Sequence, residues 1–141
     1  MQEELIILVD EQDTEIGVMP KLEVHEKGLL HRAFSIFIFN TAGELLLQQR
    51  AASKYHSGGL WSNTCCSHPI AGETLEEATK RRLQQEVGLN VAMQPMFSFL
   101  YKATFGNGLT EHELDHVFVG VSDKSPQLNK HEASDYKYIS L

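Results

Sequence analysis

Glu111 and Glu113 lie in the run Glu111-His112-Glu113-Leu114-Asp115. Strand alternation would put both carboxylates on one face, with their backbones roughly 7 Å apart. From there they could converge on one cation, or form a solvated polar strand end, the ordinary surroundings of glutamate. Imidazole nitrogen together with carboxylate oxygen suits a divalent metal, and His25, His31 and His68 all fall in or beside expected loop-to-strand junctions. His56, His112, His116 and His131 show no such pattern and read as ordinarily hydrogen-bonded or surface residues. Cys66 stands two residues before His68 and ahead of a helix, whose N-terminal side can lower a thiol's pKa. The alternative for any cysteine is a small buried hydrophobe.

These residues need elements to position them. Leu5 to Val9 reads as a strand, and the polar run after it as a turn or hairpin. His31 to Phe39 is rich in Phe and Ile, Asn40 to Gly43 supplies turn residues, and Leu45 to Gln49 continues apolar. Residues 31–50 are therefore expected to form an antiparallel hairpin. Arg50 to Asn63 reads as a long loop carrying the only tryptophan, and loops of that length usually carry function. A helix is expected from about Thr74 to Val87, acidic in its first turn, basic later and closed by Gly88. Leu75, Ala78, Thr79, Leu83 and Glu86 share its inward stripe. Further strands are expected over 91–103, 110–121 and 136–141. Several strands around a single long helix give an α/β (α+β) class with a mixed β-sheet.

Composition sets the outer bounds. The chain has 141 residues, 42% hydrophobic and 22% charged, which suits one globular domain with its own core. No apolar run approaches the roughly 20 residues of a membrane span, and the start MQEELIILVDEQ lacks the pattern of a signal peptide. A net charge of −7 leaves no general attraction to nucleic acid or to an anionic membrane. Cys65 and Cys66 are the only cysteines, and adjacent residues do not reach ordinary disulfide geometry. They read as reduced thiols of a cytoplasmic protein.

The stretch Trp61-Ser62-Asn63-Thr64-Cys65-Cys66-Ser67-His68-Pro69 resembles the active-site motif of type I isopentenyl diphosphate isomerases, a branch of the Nudix superfamily. Further matches follow in order: Lys21 and His25, His31, Arg50-Ala51-Ala52-Ser53-Lys54, Tyr101, and Glu111-His112-Glu113. The resemblance spans nearly the whole chain, and the Cys-x-His-Pro block, the tyrosine and the Glu-x-Glu strand make it specific in combination. Against the Nudix hydrolase pattern Gly-x5-Glu-x7-Arg-Glu-U-x-Glu-Glu-x-Gly-U, Glu73, Arg81, Leu83, Glu86, Gly88 and Leu89 match. Ser67, Arg82 and Gln85 replace the first glycine and two glutamates. Diphosphate hydrolysis needs magnesium gathered by several carboxylates, so this helix is poorly equipped for it.

The resemblance implies a Nudix-like α/β/α sandwich around a mixed sheet, as one domain over residues 1–141. It implies an isomerase of isoprenoid biosynthesis that interconverts isopentenyl and dimethylallyl diphosphate. Glu113 with Tyr101 would deliver one proton, and Cys66 would accept another from the opposite face of the substrate. His25, His31, His68, Glu111 and Glu113 would hold a divalent metal, for which Mn²⁺, Mg²⁺ and Zn²⁺ all suit the donors. A second Mg²⁺ would join the substrate diphosphate to Glu86 and the Cys66 carbonyl, with Lys21, Arg50, Lys54 and Arg82 on the phosphates. Members of the family continue into a C-terminal helical segment that closes the pocket. This chain ends at Tyr138-Ile139-Ser140-Leu141, so the domain reads as incomplete at that end. The other readings are a Nudix diphosphohydrolase and a catalytically weak metal- or diphosphate-binding domain. Oligomeric state is left open.

Overall fold

A computed structural model of the chain describes residues 4–52, 59–106 and 108–141. The elements in order are β1 (Leu5–Val9), β2 (Glu15–Pro20), α1 (Lys21–Lys27), β3 (His31–Phe39), β4 (Leu45–Arg50), β5 (Trp61–Ser62), β6 (Cys65–Ser67), α2 (Leu75–Val87), β7 (Met93–Thr104), β8 (Thr110–Val121) and β9 (Ala133–Ile139). The strands join in one mixed sheet. No helix among the described residues is long and apolar enough to cross a membrane.

β3 organises the sheet. Its sequence HRAFSIFIF is buried or half-buried throughout, and a strand apolar on both faces belongs between two partners. It runs parallel to β8 from His31↔Glu113 to Phe39↔Val121. On its other side β6 pairs antiparallel, from Phe34↔Ser67 to Ile36↔Cys65. This changes the expected hairpin over 31–50, since β3 and β4 meet only at Phe39↔Leu45. β4 instead pairs with β5 and β9. β7 and β8 form a long antiparallel ribbon around the Gly108 turn.

The sheet has two differently used faces. Phe34, Ile36 and Ile38 of β3, with Leu46, Cys65 and Phe118, pack against Ala78, Leu83 and Val87 of α2 in the main core. α2 begins where the sequence suggests. Thr74 caps it, with Thr74 Oγ1 accepting from Glu77 N and the Glu77 carboxylate accepting from Thr74 N. It ends at Gly88, whose φ of 68° is left-handed. α1, a helix of seven residues with only Val24 and His25 buried, has no apolar stripe to announce it. It carries His25 and, at its first residue, Lys21 toward the face opposite the α2 core.

Candidate active site

Strand register assembles the second face. His31 of β3 stands opposite Glu113 of β8, and Tyr101 of β7 stands opposite Glu113 from the other side. Side chains at directly paired positions share a face, so His31, Glu113 and Tyr101 form one row. Alternation along β8 adds Glu111 and Asp115 to that face, and alternation along β3 adds Ser35. Ser35 is in turn paired with Cys66. Along β6 the two cysteines part: Cys65 turns into the core and Cys66 into the cleft.

The resulting cleft has a volume of about 300 Å³ and is lined by Lys21, His25, Phe34, Ser35, Arg50, Cys66, Ser67, His68, Arg82, Phe99, Tyr101, Glu111, Glu113 and Asp115. Most of the residues singled out from the sequence meet here. His31 is fully buried beside this cleft, and Lys54 lies outside the described residues. His112 and His116 have structural partners: His112 Nδ1 lies 3.2 Å from the Gly28 carbonyl, and His116 Nε2 lies 3.0 Å from Asp13 Oδ2.

The three expected metal histidines are neighbours. Ring centroids are 5.2 Å apart for His25 and His31, 6.1 Å for His31 and His68, and 6.5 Å for His25 and His68. Imidazoles on adjacent corners of a tetrahedral metal have centroids about 5 Å apart, so these rings are set slightly wider. Among the described residues no group of three or more His, Cys, Asp or Glu side chains has the spacing of a formed metal site. The donor chemistry nevertheless fits a cation. Nδ1 of His25 and Nδ1 of His31 each face a backbone carbonyl, Lys21 O at 2.8 Å and Leu29 O at 3.1 Å. A carbonyl only accepts, so Nδ1 carries the hydrogen and Nε2 keeps its lone pair for a metal. His31 Nε2 is buried without a hydrogen-bond partner, and Glu113 Oε2 stands 3.7 Å away, beyond hydrogen-bonding range. Burial lowers the pKa of His25 and His68, favouring the neutral imidazole that binds metal.

Crowded acids give the cleft its electrostatics. Burial and then the neighbouring Glu113 push Glu111 up to about 7, and the same two causes raise Asp115 to about 7. Tyr101 is raised by burial and by Glu111 and Glu113. Cys66 is open to the solvent of the cleft, yet desolvation by the surrounding protein pushes its thiol up to about 12. At rest it is therefore a thiol. Its Sγ donates to Asn63 Oδ1 at 2.7 Å and lies 3.6 Å from Ser35 Oγ.

The NUDIX domain family matches residues 29–141. An isopentenyl-diphosphate Delta-isomerase of Pectobacterium atrosepticum is 57% identical over 136 residues, covering 96% of this chain and 76% of that protein. Isopentenyl-diphosphate Delta-isomerase 1 of Aromatoleum aromaticum is 55% identical, covering 99% of this chain and 78% of its own length. The chain belongs to the Nudix family, in its isopentenyl-diphosphate Delta-isomerase branch. Among solved structures, DR0079 from Deinococcus radiodurans superposes with a TM-score of 0.79 at 21% identity, covering 97% of this chain and 83% of that one, which supports the fold.

Within this Nudix domain, Glu73 before the box helix α2 and Glu86 within it both face arginines. Glu73 makes a bidentate pair with Arg81, at 2.6 and 2.9 Å, that ties the preceding loop to the helix. Arg81 beside Glu73 is the main reason that carboxyl is held below its usual range. Glu86 is almost fully buried: Oε1 accepts from Gln48 Nε2 at 2.7 Å, and Oε2 accepts from Arg82 Nε and Nη2 at 3.0 and 2.7 Å. Three donor contacts thus fall on its two oxygens, and it stands behind Arg82 as an anchor, outside the residues that line the cleft. Glu132 Oε2 accepts from Arg82 Nη2 as well, at 3.0 Å. Burial works against the Arg82 cation, but Glu86 and Glu132 outweigh it and raise its pKa.

Asp115, Ser35, Asn63 and Glu132 were not among the site residues expected from the sequence. Asp115 continues the Glu111, Glu113 alternation and carried a signal. Asn63 stands three residues before Cys66 in the quoted motif, whereas Ser35 and Glu132 come into contact only through strand pairing and chain return, which leave no local mark.

Proposed function

We propose that the chain interconverts isopentenyl diphosphate and dimethylallyl diphosphate by adding a proton to one end of the alkene and removing one from the allylic carbon. An unactivated double bond is a very weak base, so the reaction needs a well-placed acid and base and a site that limits water. Glu113, with Tyr101 beside it, handles the proton on one side, and Cys66 handles it on the other. The observation that carries this reading is the strand order: β6 with Cys66 and β8 with Glu113 flank β3 on opposite sides, and both residues line one cleft. The thiol at rest is the form that donates in the direction from dimethylallyl to isopentenyl diphosphate, and the thiolate is the form that accepts in the other.

Lys21, Arg50 and Arg82, which line the cleft, meet the diphosphate. Arg82 is held in place by Glu86 and Glu132 while it does so. His25, His31, His68, Glu111 and Glu113 are the residues that would hold a divalent cation. When bound, it would supply positive charge that lets the crowded carboxylates ionise together. Mn²⁺, Mg²⁺ and Zn²⁺ suit those donors, and Glu86 with the Cys66 carbonyl would hold a second Mg²⁺ at the substrate diphosphate. The substrate is a small molecule, and the reactive thiol suits the reducing cytoplasm.

Cys66→Ala and Glu113→Gln test the assignment. Each is expected to lower isomerase kcat on the order of 10²–10⁴-fold while diphosphate binding measured by calorimetry persists. Wild-type turnover in either variant would contradict the role given to that residue.

A further inference from the structure

Around the Cys66 sulfur are two side chains that the proposed proton transfers do not use. Asn63 Nδ2 donates to two backbone carbonyls, Ile36 O at 2.9 Å and Cys65 O at 3.1 Å. The amide is thereby oriented by the backbone, and its Oδ1 is left facing Cys66 Sγ. On another side is Ser35, directly across the β3–β6 pairing, buried and donating to Asp115 Oδ2 at 2.9 Å. Ser35 is thus one of the contacts of this carboxyl, together with the neighbouring Glu113. Asn63 Oδ1 can only accept, whereas a hydroxyl can donate or accept. Ser35 is therefore the neighbour able to donate a hydrogen bond to the sulfur when the S–H proton is gone, by turning its one proton from Asp115 to Sγ and giving up the bond to Asp115 while it does so.

We propose that Ser35 is a positioning residue that holds the Cys66 sulfur at a fixed place in the cleft once its proton has left, taking over from Asn63, which accepts that proton while the thiol is intact. Ser35 does not itself exchange protons with substrate. It limits the swing of the Cys66 side chain, so that the sulfur stays within reach of the allylic carbon through a turnover. Reach and alignment enter the rate of proton transfer steeply, while diphosphate binding at Lys21 and Arg50 is unaffected. The inference rests on the role given above to Cys66.

The test uses the whole chain with divalent metal and compares Ser35→Ala with wild type, and the near-isosteric pair Ser35→Thr and Ser35→Val with each other. Steady-state kinetics are read together with the kinetic isotope effect for isopentenyl diphosphate deuterated at the allylic carbon that loses its proton. Loss of the hydroxyl is expected to lower kcat about tenfold, the size of one hydrogen bond to a charged group, with KM unchanged within twofold. The isotope effect should rise as the sulfur step becomes slower, and Thr should recover what Val loses. Equal kcat and equal isotope effect for Thr and Val, or a loss confined to KM, would overturn the inference, and this pair decides it even if the alanine variant does not fold. Cys66→Ala in the same series separates the two levels. If it keeps wild-type turnover, the sulfur chemistry falls and this inference with it. If it is inactive beside unimpaired Ser35 variants, this inference alone falls.

Discussion

Glu111 shows how the site's charge balance becomes measurable at a single residue. Its pKa in the folded chain, about 7, lies above the ordinary 4.5. Between those values the folded chain keeps a proton that the unfolded chain has released. The stability owed to Glu111 is therefore full below about pH 4.5 and is lost as pH rises toward 7. His25 and His68 act with the opposite sign: their lowered values give a contribution present above 6.5 and lost as pH falls. Comparing Glu111→Gln with wild type in chelator-treated protein isolates the carboxyl. In urea denaturation at pH 4.5 and pH 8 the glutamine variant should gain relative to wild type at the higher pH. A difference that does not move with pH would contradict burial and Glu113 as the cause of the shift.

At the scale of elements, two predictions concern the box helix. A Cβ on Gly88 would sit 2.5 Å from Gln127 O and 2.8 Å from Gln127 Cβ, on a backbone with φ of +68°. Gly88→Ala should thus cost more than about 2 kcal/mol in denaturant titration, because neither the backbone oxygen nor the left-handed turn can yield cheaply. Thr74→Ala removes one half of the capping box and should cost about 1 kcal/mol in the same assay. This helix was readable in the sequence because cap, stripe and terminal glycine agree locally, from Thr74 through Leu83 to Gly88. β1, β3 and β8 were readable for the same reason. What could not be read was pairing: nothing in Asn40 to Gly43 says that β3 will leave β4 after one residue pair and take β8 and β6 instead. The catalytic candidates were therefore visible as motifs, but the Ser35–Cys66 and Tyr101–Glu113 oppositions exist only in the register. α1 leaves no such mark, because a seven-residue helix buried at Val24 and His25 has too little apolar pattern to show a period.

For the molecule as a whole, the chain carries −7, and its cleft concentrates Glu111, Glu113 and Asp115. A protein built this way should be stabilised by a cation that binds the folded state alone. At a concentration a hundredfold above Kd the gain is about 2.7 kcal/mol. Adding Mn²⁺ to chelator-treated protein should raise Tm, and His25→Gln should shrink that rise. An equal rise in the variant would remove His25 from the cation site. The same acidic frame explains why Lys21, Arg50 and Arg82 are gathered at the cleft, since they must offset the overall charge where the diphosphate arrives.

On this reading the Nudix domain moves protons on carbon and leaves the diphosphate intact. Incubation with isopentenyl diphosphate and Mg²⁺ in D₂O tests it most directly, with isomer, deuterium on carbon and free phosphate followed separately. Dimethylallyl diphosphate carrying solvent deuterium, without phosphate release, is the result expected. Phosphate release without isomer would make the domain a diphosphohydrolase instead.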